Sequence, residues 1–254
     1  MSAQDASPAH KVTPCWQAQP LPQVTVQQVP TAELNTRLAQ DIAQRLRTAI
    51  AARGFAVLSV SGGKSPIALF EALREQALDW ANVRVTLVDE RCVPRTHLDS
   101  NAYLVQTHLL QGAAQHAQFV YMSTDDANPA AQAKAAGIAL AAVGACDVLV
   151  LGMGADGHTA SLFPDAPNLT DALDIRNTQA CVSIELAHPP ANAPYARITQ
   201  TLSQILSARH IVLPLSGADK HHTLQLAWKA PSEQYPISYV LHQTRTPVAL
   251  WLTT

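Results

Sequence analysis

The sequence predicts a single α/β domain in which helices cover both faces of a mostly parallel sheet. Short, almost continuously apolar runs alternate with helical segments, which is the pattern of parallel strands that are buried on both sides. Glycine-rich or charged turns follow several of these runs. The chain has 254 residues, of which 48% are hydrophobic and 14% are charged. A chain of this length and composition can bury a substantial core, so neither disorder nor a coiled coil is expected.

Seven segments of strand length, the first of which (residues 24–29) alternates between apolar and polar residues, follow a polar segment that contains four prolines. We therefore divide the chain into an N-terminal tail, residues 1–22, and one domain over residues 23–254. The predicted strands cover residues 24–29, 55–60, 83–88, 118–122, 147–151, 210–215 and 247–252. The predicted helices cover residues 34–50, 66–78, 101–110, 128–143, 199–206 and 219–228.

Local signals support the starts of three of these helices. Thr31, Ser65 and Ser100 are of the residue types that cap helix N-termini, and Pro66 suits the first position of a helix. The nearly apolar stretch 135–155 is long enough on paper to cross a bilayer. It contains an aspartate and four glycines, so we interpret it as a buried helix followed by a buried strand.

Charge and cysteine content narrow the class of protein further. The net charge is −2, which argues against a protein that coats nucleic acid. The four cysteines form no CxxC pair, so neither a disulfide framework nor a zinc cluster is predicted, and a reducing cytoplasm is the expected compartment. The N-terminus has no apolar core typical of a secretory signal. His221 and His222 are adjacent and point apart on a helix, so no metal site is expected.

The turn after the second predicted strand contains Ser61, Gly62, Gly63 and Lys64. Small residues let backbone N–H groups face an anion, and the following helix N-terminus adds positive potential. A P-loop needs glycine five positions before Gly63, where Leu58 stands. Two interpretations remain: a site for a phosphate group, or a plain turn between strand and helix.

A second glycine-rich turn, residues 152–157, matches the G-x-G-x-x-G pattern of dinucleotide-binding proteins. Asp156 would place a negative charge beside the pyrophosphate, and Pro164 leaves little room for the helix that should follow. Nicotinamide binding is therefore disfavoured. The turn continues to His158, and a carboxylate two residues before a histidine can orient the imidazole as a general base.

Charged residues also follow the third predicted strand, as Asp89, Glu90 and Arg91. They are either paired and functional, since unpaired charges at the end of a buried strand are costly, or the start of a solvated loop. Arg91 can grip phosphate or carboxylate with two N–H groups, and Arg197 and Lys220 are further candidate cations. Ligands of parallel sheets bind beyond the carboxyl ends of the strands, so segments 61–65, 89–101, 152–164 and 216–220 are expected to converge.

Four blocks resemble the signature motifs of the 6-phosphogluconolactonase family and occur in the family's order. They are residues 55–66 (FAVLSVSGGKSP), 88–101 (VDERCVPRTHLDSN), 151–164 (LGMGADGHTASLFP) and 196–220 (ARITQTLSQILSARHIVLPLSGADK). The resemblance implies a Rossmann-like α/β fold that is shared with glucosamine-6-phosphate deaminases. It also implies hydrolysis of 6-phospho-D-glucono-1,5-lactone to 6-phosphogluconate in the oxidative pentose phosphate pathway, with no metal or organic cofactor.

By motif position, the resemblance implies that His158 is the catalytic histidine and Asp156 its partner. Arg91, Arg197 and Lys220 match positions that hold the phosphate or the substrate hydroxyls. The family's first block often has serine and threonine after the glycine pair, whereas this chain has Lys64 and Ser65, so Lys64 either contacts phosphate or points to solvent. The donors to the developing oxyanion stay open between Arg91 and the backbone amides of residues 154–157.

Two other functions remain as alternatives to the lactonase. One is a related sugar-phosphate isomerase or deaminase, and the other is a non-catalytic regulator that binds phosphosugars. Deaminases carry a carboxylate just before the proline of the third block, where this chain has Phe163. The partners we expect are a small sugar-phosphate lactone, with no nucleic acid and no membrane, in a monomer or small homo-oligomer.

Overall fold

The fold is described from a computed structural model, in which residues 14–124, 127–186, 189 and 194–253 are described. In these ranges the strands are β1 (Val24–Val29), β2 (Ala56–Val60), β3 (Val83–Leu87), β4 (Asp89–Arg91), β5 (Gln118–Phe119), β6 (Val148–Val150), β7 (Cys181–Ile184), β8 (Arg197–Gln200), β9 (Ile211–Leu215) and β10 (Val248–Thr253). The α-helices are α1 (Cys15–Ala18), α2 (Leu34–Arg53), α3 (Ile67–Arg74), α4 (Asn101–His108), α5 (Pro129–Val143), α6 (Leu169–Leu173), α7 (Leu202–Ile205), α8 (Ala218–Ala227) and α9 (Ile237–Leu241).

The main sheet has seven parallel strands in the order β1-β10-β9-β6-β2-β3-β5. Successive residues of its central strands point to opposite faces, as the two-residue period of a strand requires. In β6, Val148 and Val150 join the core on one face, while Leu149 joins the core on the other. Helices α2, α3 and α4 contribute to the first core, and α8 and α9 to the second. The predicted α/β fold with helices on both faces is confirmed.

Helix α2 covers the first face with one apolar stripe. Its buried residues recur at helical spacing: Leu34, Leu38, Ala39, Ile42, Ala43, Leu46 and Ala49. The helix ends at Gly54, whose φ of +82° favours glycine, and the Gly54 N–H bonds the Ile50 carbonyl at 2.7 Å. The helix therefore extends three residues beyond the predicted end at Ile50, up to its glycine stop signal.

Three predicted helix starts have different outcomes. Ser100 caps α4 as predicted, because its Oγ accepts a 3.2 Å hydrogen bond from the N–H of Tyr103. Helix α3 begins at Ile67, one residue later than predicted, and has no side-chain cap. Thr31 begins a short 3₁₀ turn and does not directly precede α2. The helix and strand predicted within residues 135–155 are found as α5 and β6; β6 is buried as predicted, whereas α5 is buried on one face only and exposes Ile138 on the other. No helix in the described part of the chain is long and apolar enough to cross a bilayer.

The sequence did not predict a second sheet, which is antiparallel and has the order β4-β8-β7. The predicted helix over residues 199–206 is wrong in its first part, since Arg197–Gln200 forms the central strand β8. Pairing with β4 on one side and β7 on the other overrides the local helical pattern. Helix α7 begins only at Leu202, where Thr201 Oγ1 accepts from the N–H of Gln204 at 3.3 Å.

Part of the predicted N-terminal tail is attached to the domain. Residues 1–13 lie outside the described residues. Helix α1 begins at Cys15, and its residue Trp16 contacts Trp228 edge to face, with the ring centroids 6.4 Å apart. The indole N–H of Trp228 donates to the carbonyl of Gln19 at 2.8 Å, and Leu21 is buried. Residues 14–22 are therefore ordered by contacts with the domain, contrary to the expectation of a tail with little structure.

Candidate active site

A cavity of about 300 Å³ lies at the carboxyl ends of the central strands. Its lining comes from the turns after β2, β3, β6 and β9, so the four segments expected to converge do meet. Strand β8 adds Arg197. Of the predicted site residues, the cavity is lined by Ser61, Gly62, Gly63, Arg91, His158, Arg197 and Lys220. Lys64 and Asp156 are not among the lining residues.

Asp156 and His158 form a hydrogen-bonded pair at this cavity. Oδ1 of Asp156 lies 2.6 Å from Nδ1 of His158 and also accepts a 3.1 Å bond from the His158 backbone N–H. Burial favours the neutral acid, but the hydrogen bond and the charge of His158 outweigh it and lower the pKa of Asp156. A carboxylate at this position holds the imidazole with its other nitrogen, Nε2, free for proton transfer.

Gly154 leaves the space that this pair occupies. A Cβ atom at Gly154 would lie 2.2 Å from Nδ1 of His158 and 2.5 Å from Oδ1 of Asp156. The next glycine, Gly157, has a φ of +83°, and a Cβ there would approach the backbone of Tyr235 at 3.0 Å. Of the glycines that resemble a dinucleotide fingerprint, Gly154 therefore leaves space for the Asp–His pair, and Gly157 allows the turn to pack against Tyr235.

Arg91 is held at the cavity by α4 and the loop before it. One of its terminal nitrogens donates to the carbonyl of Asp99 at 2.7 Å and to Oδ1 of Asn101 at 2.6 Å. Asn101 in turn donates to the carbonyl of Asp89 at 2.8 Å. A Cβ at Gly62 would lie 1.8 Å from Oδ1 of Asn101, so the first glycine-rich turn needs glycine to pack beside this contact.

Arg197 reaches the same cavity from β8, although only 5% of the residue is exposed. It lies directly opposite Arg91 in the ladder between β4 and β8. Burial lowers the pKa of Arg197, the charge of Asp89 opposes this shift, and the charge of Arg91 adds to it. The Nε atoms of both arginines are buried without a hydrogen-bond partner among the described residues.

The two acids that precede Arg91 are buried rather than solvated, so the alternative of a solvated loop start is wrong. Glu90 accepts hydrogen bonds from the N–H groups of Arg91, Asn101 and Ala102 at 2.7–2.8 Å and from the Ser100 hydroxyl at 2.9 Å. Burial raises the pKa of Glu90 above its usual range, although these hydrogen bonds oppose the shift. Asp89 accepts a 2.6 Å hydrogen bond from the hydroxyl of Ser161.

The two lysines of the predicted site differ in position. Lys64 is exposed and does not line the cavity. Lys220, near the start of α8, lines the cavity and is partly buried, which lowers its pKa. In the first turn, Ser61 Oγ accepts a 3.2 Å bond from the N–H of Gly152, which joins it to the turn after β6.

The cavity also includes residues that the sequence analysis did not assign to the site. They include Asn35, Asp89, Asn101, Phe163 and Ser216. Phe163 lies within the third motif, and Asp89 and Asn101 lie within the second, so the motifs themselves were the available signal. Ser216 lies within the fourth motif and the segment 216–220, so Asn35 is the member of this set that carries no such signal. In the described ranges, no group of three or more His, Cys, Asp or Glu side chains could hold a metal ion.

Comparison with known proteins identifies the family. The family model of glucosamine-6-phosphate isomerases and 6-phosphogluconolactonases matches residues 30–251, and the chain belongs to this family. It is 46% identical over 210 residues to a 6-phosphogluconolactonase of Pseudomonas putida, covering 82% of this chain and 85% of that protein. A 6-phosphogluconolactonase of Neisseria meningitidis is 41% identical over 214 residues, covering 83% of this chain and 90% of that protein.

Solved structures agree with this placement. The crystal structure of a 6-phosphogluconolactonase from Shewanella baltica superposes with a TM-score of 0.86 at 37% identity, covering 92% of this chain and 99% of that one. A monomeric glucosamine-6-phosphate deaminase superposes with a TM-score of 0.75 at 18% identity, covering 90% and 97% of the two chains. The second similarity concerns the fold alone.

Proposed function

We propose that this chain hydrolyses 6-phospho-D-glucono-1,5-lactone to 6-phospho-D-gluconate, the lactonase step of the oxidative pentose phosphate pathway. The observation that carries the proposal is the Asp156–His158 pair at a cavity that also contains Arg91, Arg197 and Lys220. A general base can activate water for attack on an ester, and three nearby cationic side chains can bind a phosphate group on the same molecule. The lactonases among its relatives support the same choice.

In the proposed mechanism, neutral His158 removes a proton from water through Nε2 as the water oxygen attacks the lactone carbonyl carbon. Asp156 holds the proton on Nδ1 and stabilises the imidazolium that forms. The carbonyl oxygen becomes an oxyanion, with Arg91 or the amides of residues 155–156 as its donors, because the N–H groups of Gly154 and Gly157 already bond carbonyls within the turn. When the ester bond breaks, the ring oxygen leaves and takes the proton from His158, which returns the enzyme to its starting state.

The phosphate group of the substrate is proposed to bind cationic side chains of the cavity that lie apart from His158. Arg197 and Lys220 supply charge, and the turn of Ser61, Gly62 and Gly63 supplies small residues next to the N-terminus of α3. Binding the phosphate fixes the lactone ring relative to His158, so binding energy from a remote group assists the reaction. Lys64 is exposed, so we assign it no phosphate contact.

The proposed reaction needs neither a metal nor an organic cofactor, since one base and one water are sufficient. The partner is the sugar-phosphate lactone, and no nucleic acid or membrane partner is proposed. A monomer or small homo-oligomer in the cytoplasm is the expected state. Residues 23–254 are proposed to form the catalytic domain.

The test is a timed assay of freshly prepared 6-phosphogluconolactone with and without the protein, in the presence and absence of a chelator. We expect rapid hydrolysis that exhaustive chelation leaves unchanged. A phosphosugar-binding regulator would bind 6-phosphogluconate without hastening loss of the lactone. Activity lost on chelation and restored by one metal would contradict the cofactor-free mechanism.

A deaminase is the alternative within the same family, and Phe163 argues against it. Isomerisation with deamination needs a base to move a proton between two carbons and an acid to open the ring. The position before Pro164 holds Phe163, which cannot exchange a proton. We therefore expect no ammonia from glucosamine 6-phosphate above background at protein concentrations that hydrolyse the lactone within seconds. Ammonia release at a comparable turnover would favour the deaminase.

A further inference from the structure

One aromatic ring, that of Phe163, contacts both the proposed base and a proposed substrate-binding cation. Its centroid lies 4.4 Å from the centroid of the His158 imidazole, with an angle of 32° between the ring planes. The guanidinium carbon of Arg197 lies over the same ring, 5.1 Å from its centroid. Phe163 also lines the cavity. The mechanism above gives this ring no part.

The contact with Phe163 restrains a motion of the His158 ring that Asp156 alone does not restrain. The hydrogen bond between Nδ1 and Asp156 fixes one edge of the imidazole, but a ring held at one atom can still tilt. The His158 side chain is 31% exposed, so solvent does not restrain it on its open side. A flat ring at 4.4 Å limits that tilt and so fixes the direction in which Nε2 points.

The contact between Phe163 and Arg197 orients a cation that lacks a hydrogen-bonded side-chain partner in the described part of the chain. Among the described residues, the Arg197 side chain makes no hydrogen bond and no salt bridge, and its Nε is buried without a partner. A guanidinium over an aromatic face is attracted by the ring electrons while its N–H groups stay available. Phe163 therefore supports the orientation of this cation without occupying the donors that a ligand would use.

We propose that Phe163 is a positioning residue that sets the orientation of His158 and Arg197 together. The ring would thereby couple the direction of proton transfer to the place where the anionic group of the substrate binds. The inference rests on the lactonase function proposed above, because it assigns both side chains to one reaction. If this inference is right, the Phe163 ring is needed both for kcat and for the affinity for 6-phosphogluconate. The Phe163 side chain does this without any group that exchanges a proton or forms a hydrogen bond.

Four proteins test this proposal: the wild type, Phe163→Leu, Phe163→Tyr and Phe119→Leu. Leucine keeps the apolar character of Phe163 and removes the flat ring, whereas tyrosine keeps the ring. Phe119 packs against Tyr121 at the far edge of the main sheet, with centroids 4.6 Å apart, and serves as the control for losing an aromatic contact away from the site. The measurements are kcat for the lactone, the Kd of 6-phosphogluconate, and the thermal midpoint.

We expect Phe163→Leu to lower kcat and to raise the Kd of 6-phosphogluconate, each by about tenfold or more, because both side chains lose their support. Phe163→Tyr and Phe119→Leu should stay within about threefold of the wild type in both quantities. The proposal is overturned if folded Phe163→Leu stays within about threefold in either quantity, or if Phe163→Tyr is impaired as strongly as Phe163→Leu.

A spectroscopic measurement separates this proposal from the proposed function. The ring current of Phe163 shifts the NMR signals of the His158 ring protons, which are assigned by their loss in His158→Gln. The shift should persist in Phe163→Tyr and disappear in Phe163→Leu. If the wild type does not hydrolyse the lactone, the proposed lactonase function is wrong. The NMR shifts of the His158 ring protons and the Kd of 6-phosphogluconate then still test whether Phe163 positions the two side chains. Unchanged shifts in Phe163→Leu would overturn that role.

Discussion

The hydroxyl of Ser161 donates a 2.6 Å hydrogen bond to Oδ2 of Asp89, and both side chains are buried. This bond joins the turn that carries His158 to the strand end that carries Arg91. The Asn101 side chain makes a comparable connection, because it binds Arg91 and packs against Gly62. Segments that are far apart in sequence therefore form one hydrogen-bonded unit around the cavity, and small substitutions within it should have large effects on activity.

Replacement of His158 by alanine should remove the proposed general base. We expect kcat to fall by about 10²–10⁴-fold, which is the usual contribution of such a group, while 6-phosphogluconate still binds. The measurement combines steady-state kinetics with thermal unfolding, so that a folding defect is recognised. A folded variant with nearly wild-type kcat would show that another group activates the water.

Gly154→Ala should displace the Asp156–His158 pair, since the added Cβ would lie 2.2 Å from Nδ1 of His158. We expect kcat to fall by about tenfold or more with a smaller change in stability, because the displaced groups are partly exposed side chains. Gly152→Ala is the matched control: its Cβ would meet only Ser61, at 3.9 Å. Equal activities of the two variants would contradict the prediction.

Arg197→Ala and Lys220→Ala should weaken the binding of 6-phosphogluconate. A hydrogen bond to a charged group contributes about 1.5–3 kcal/mol, so each Kd should rise by about tenfold or more. Isothermal titration calorimetry measures the effect, and Lys64→Ala, which alters an exposed lysine outside the cavity, should leave the Kd unchanged. The wild type should also act poorly on gluconolactone without phosphate. Equal kcat/KM values for the two lactones would rule out the assigned phosphate contacts.

The cysteine thiols should be unreactive in the folded protein. Burial raises the pKa of Cys92 to about 11 and those of Cys146 and Cys181 to about 12, and it also raises that of Cys15. At pH 8 only about one Cys92 in a thousand is then the reactive thiolate. We expect iodoacetamide to label the native protein slowly and the denatured protein at all four cysteines, as measured by mass spectrometry. Equal labelling rates in both states would contradict the assigned burial.

Burial of the same thiols should lower the free energy of unfolding at alkaline pH. Each has a higher pKa in the folded state than the ordinary value of 9.0. Their contribution to the free energy of unfolding is therefore complete below about pH 9 and is lost as the pH rises toward the folded-state values.

The main sheet could be predicted because its inner strands, such as β2 and β6, are buried on both faces and therefore almost wholly apolar. The antiparallel sheet could not. Its strand β4 has three residues, all of them charged, and follows β3 after a single residue. Strand β8 contains Arg197 and Gln200 and precedes a helical turn, so its local pattern resembles the helix. Only pairing with distant strands makes these segments extended.

The site was predictable where its chemistry is concentrated in the motifs, as at Asp156 and His158. Asn35 lies outside the motifs and reaches the cavity from the start of α2, whereas Ser216 lies in a segment that was expected there. Nothing in the local sequence of Asn35 separates it from other polar residues. The position of Lys64 could not be decided either, since a lysine in a glycine-rich turn can face the ligand or solvent.

The register that sets Arg91 opposite Arg197 has a thermodynamic consequence. Like charges at directly opposed positions repel, so the ligand-free fold carries a cost that an anion between them would remove. Folding and ligand binding are then linked, and 6-phosphogluconate at a hundred times its Kd should add about 2.7 kcal/mol to the free energy of unfolding. Without ligand, Arg197→Met should have a higher free energy of unfolding than the wild type. It should also lose most of the stabilisation by 6-phosphogluconate, because the charge of Arg197 favours ligand binding and disfavours the ligand-free fold.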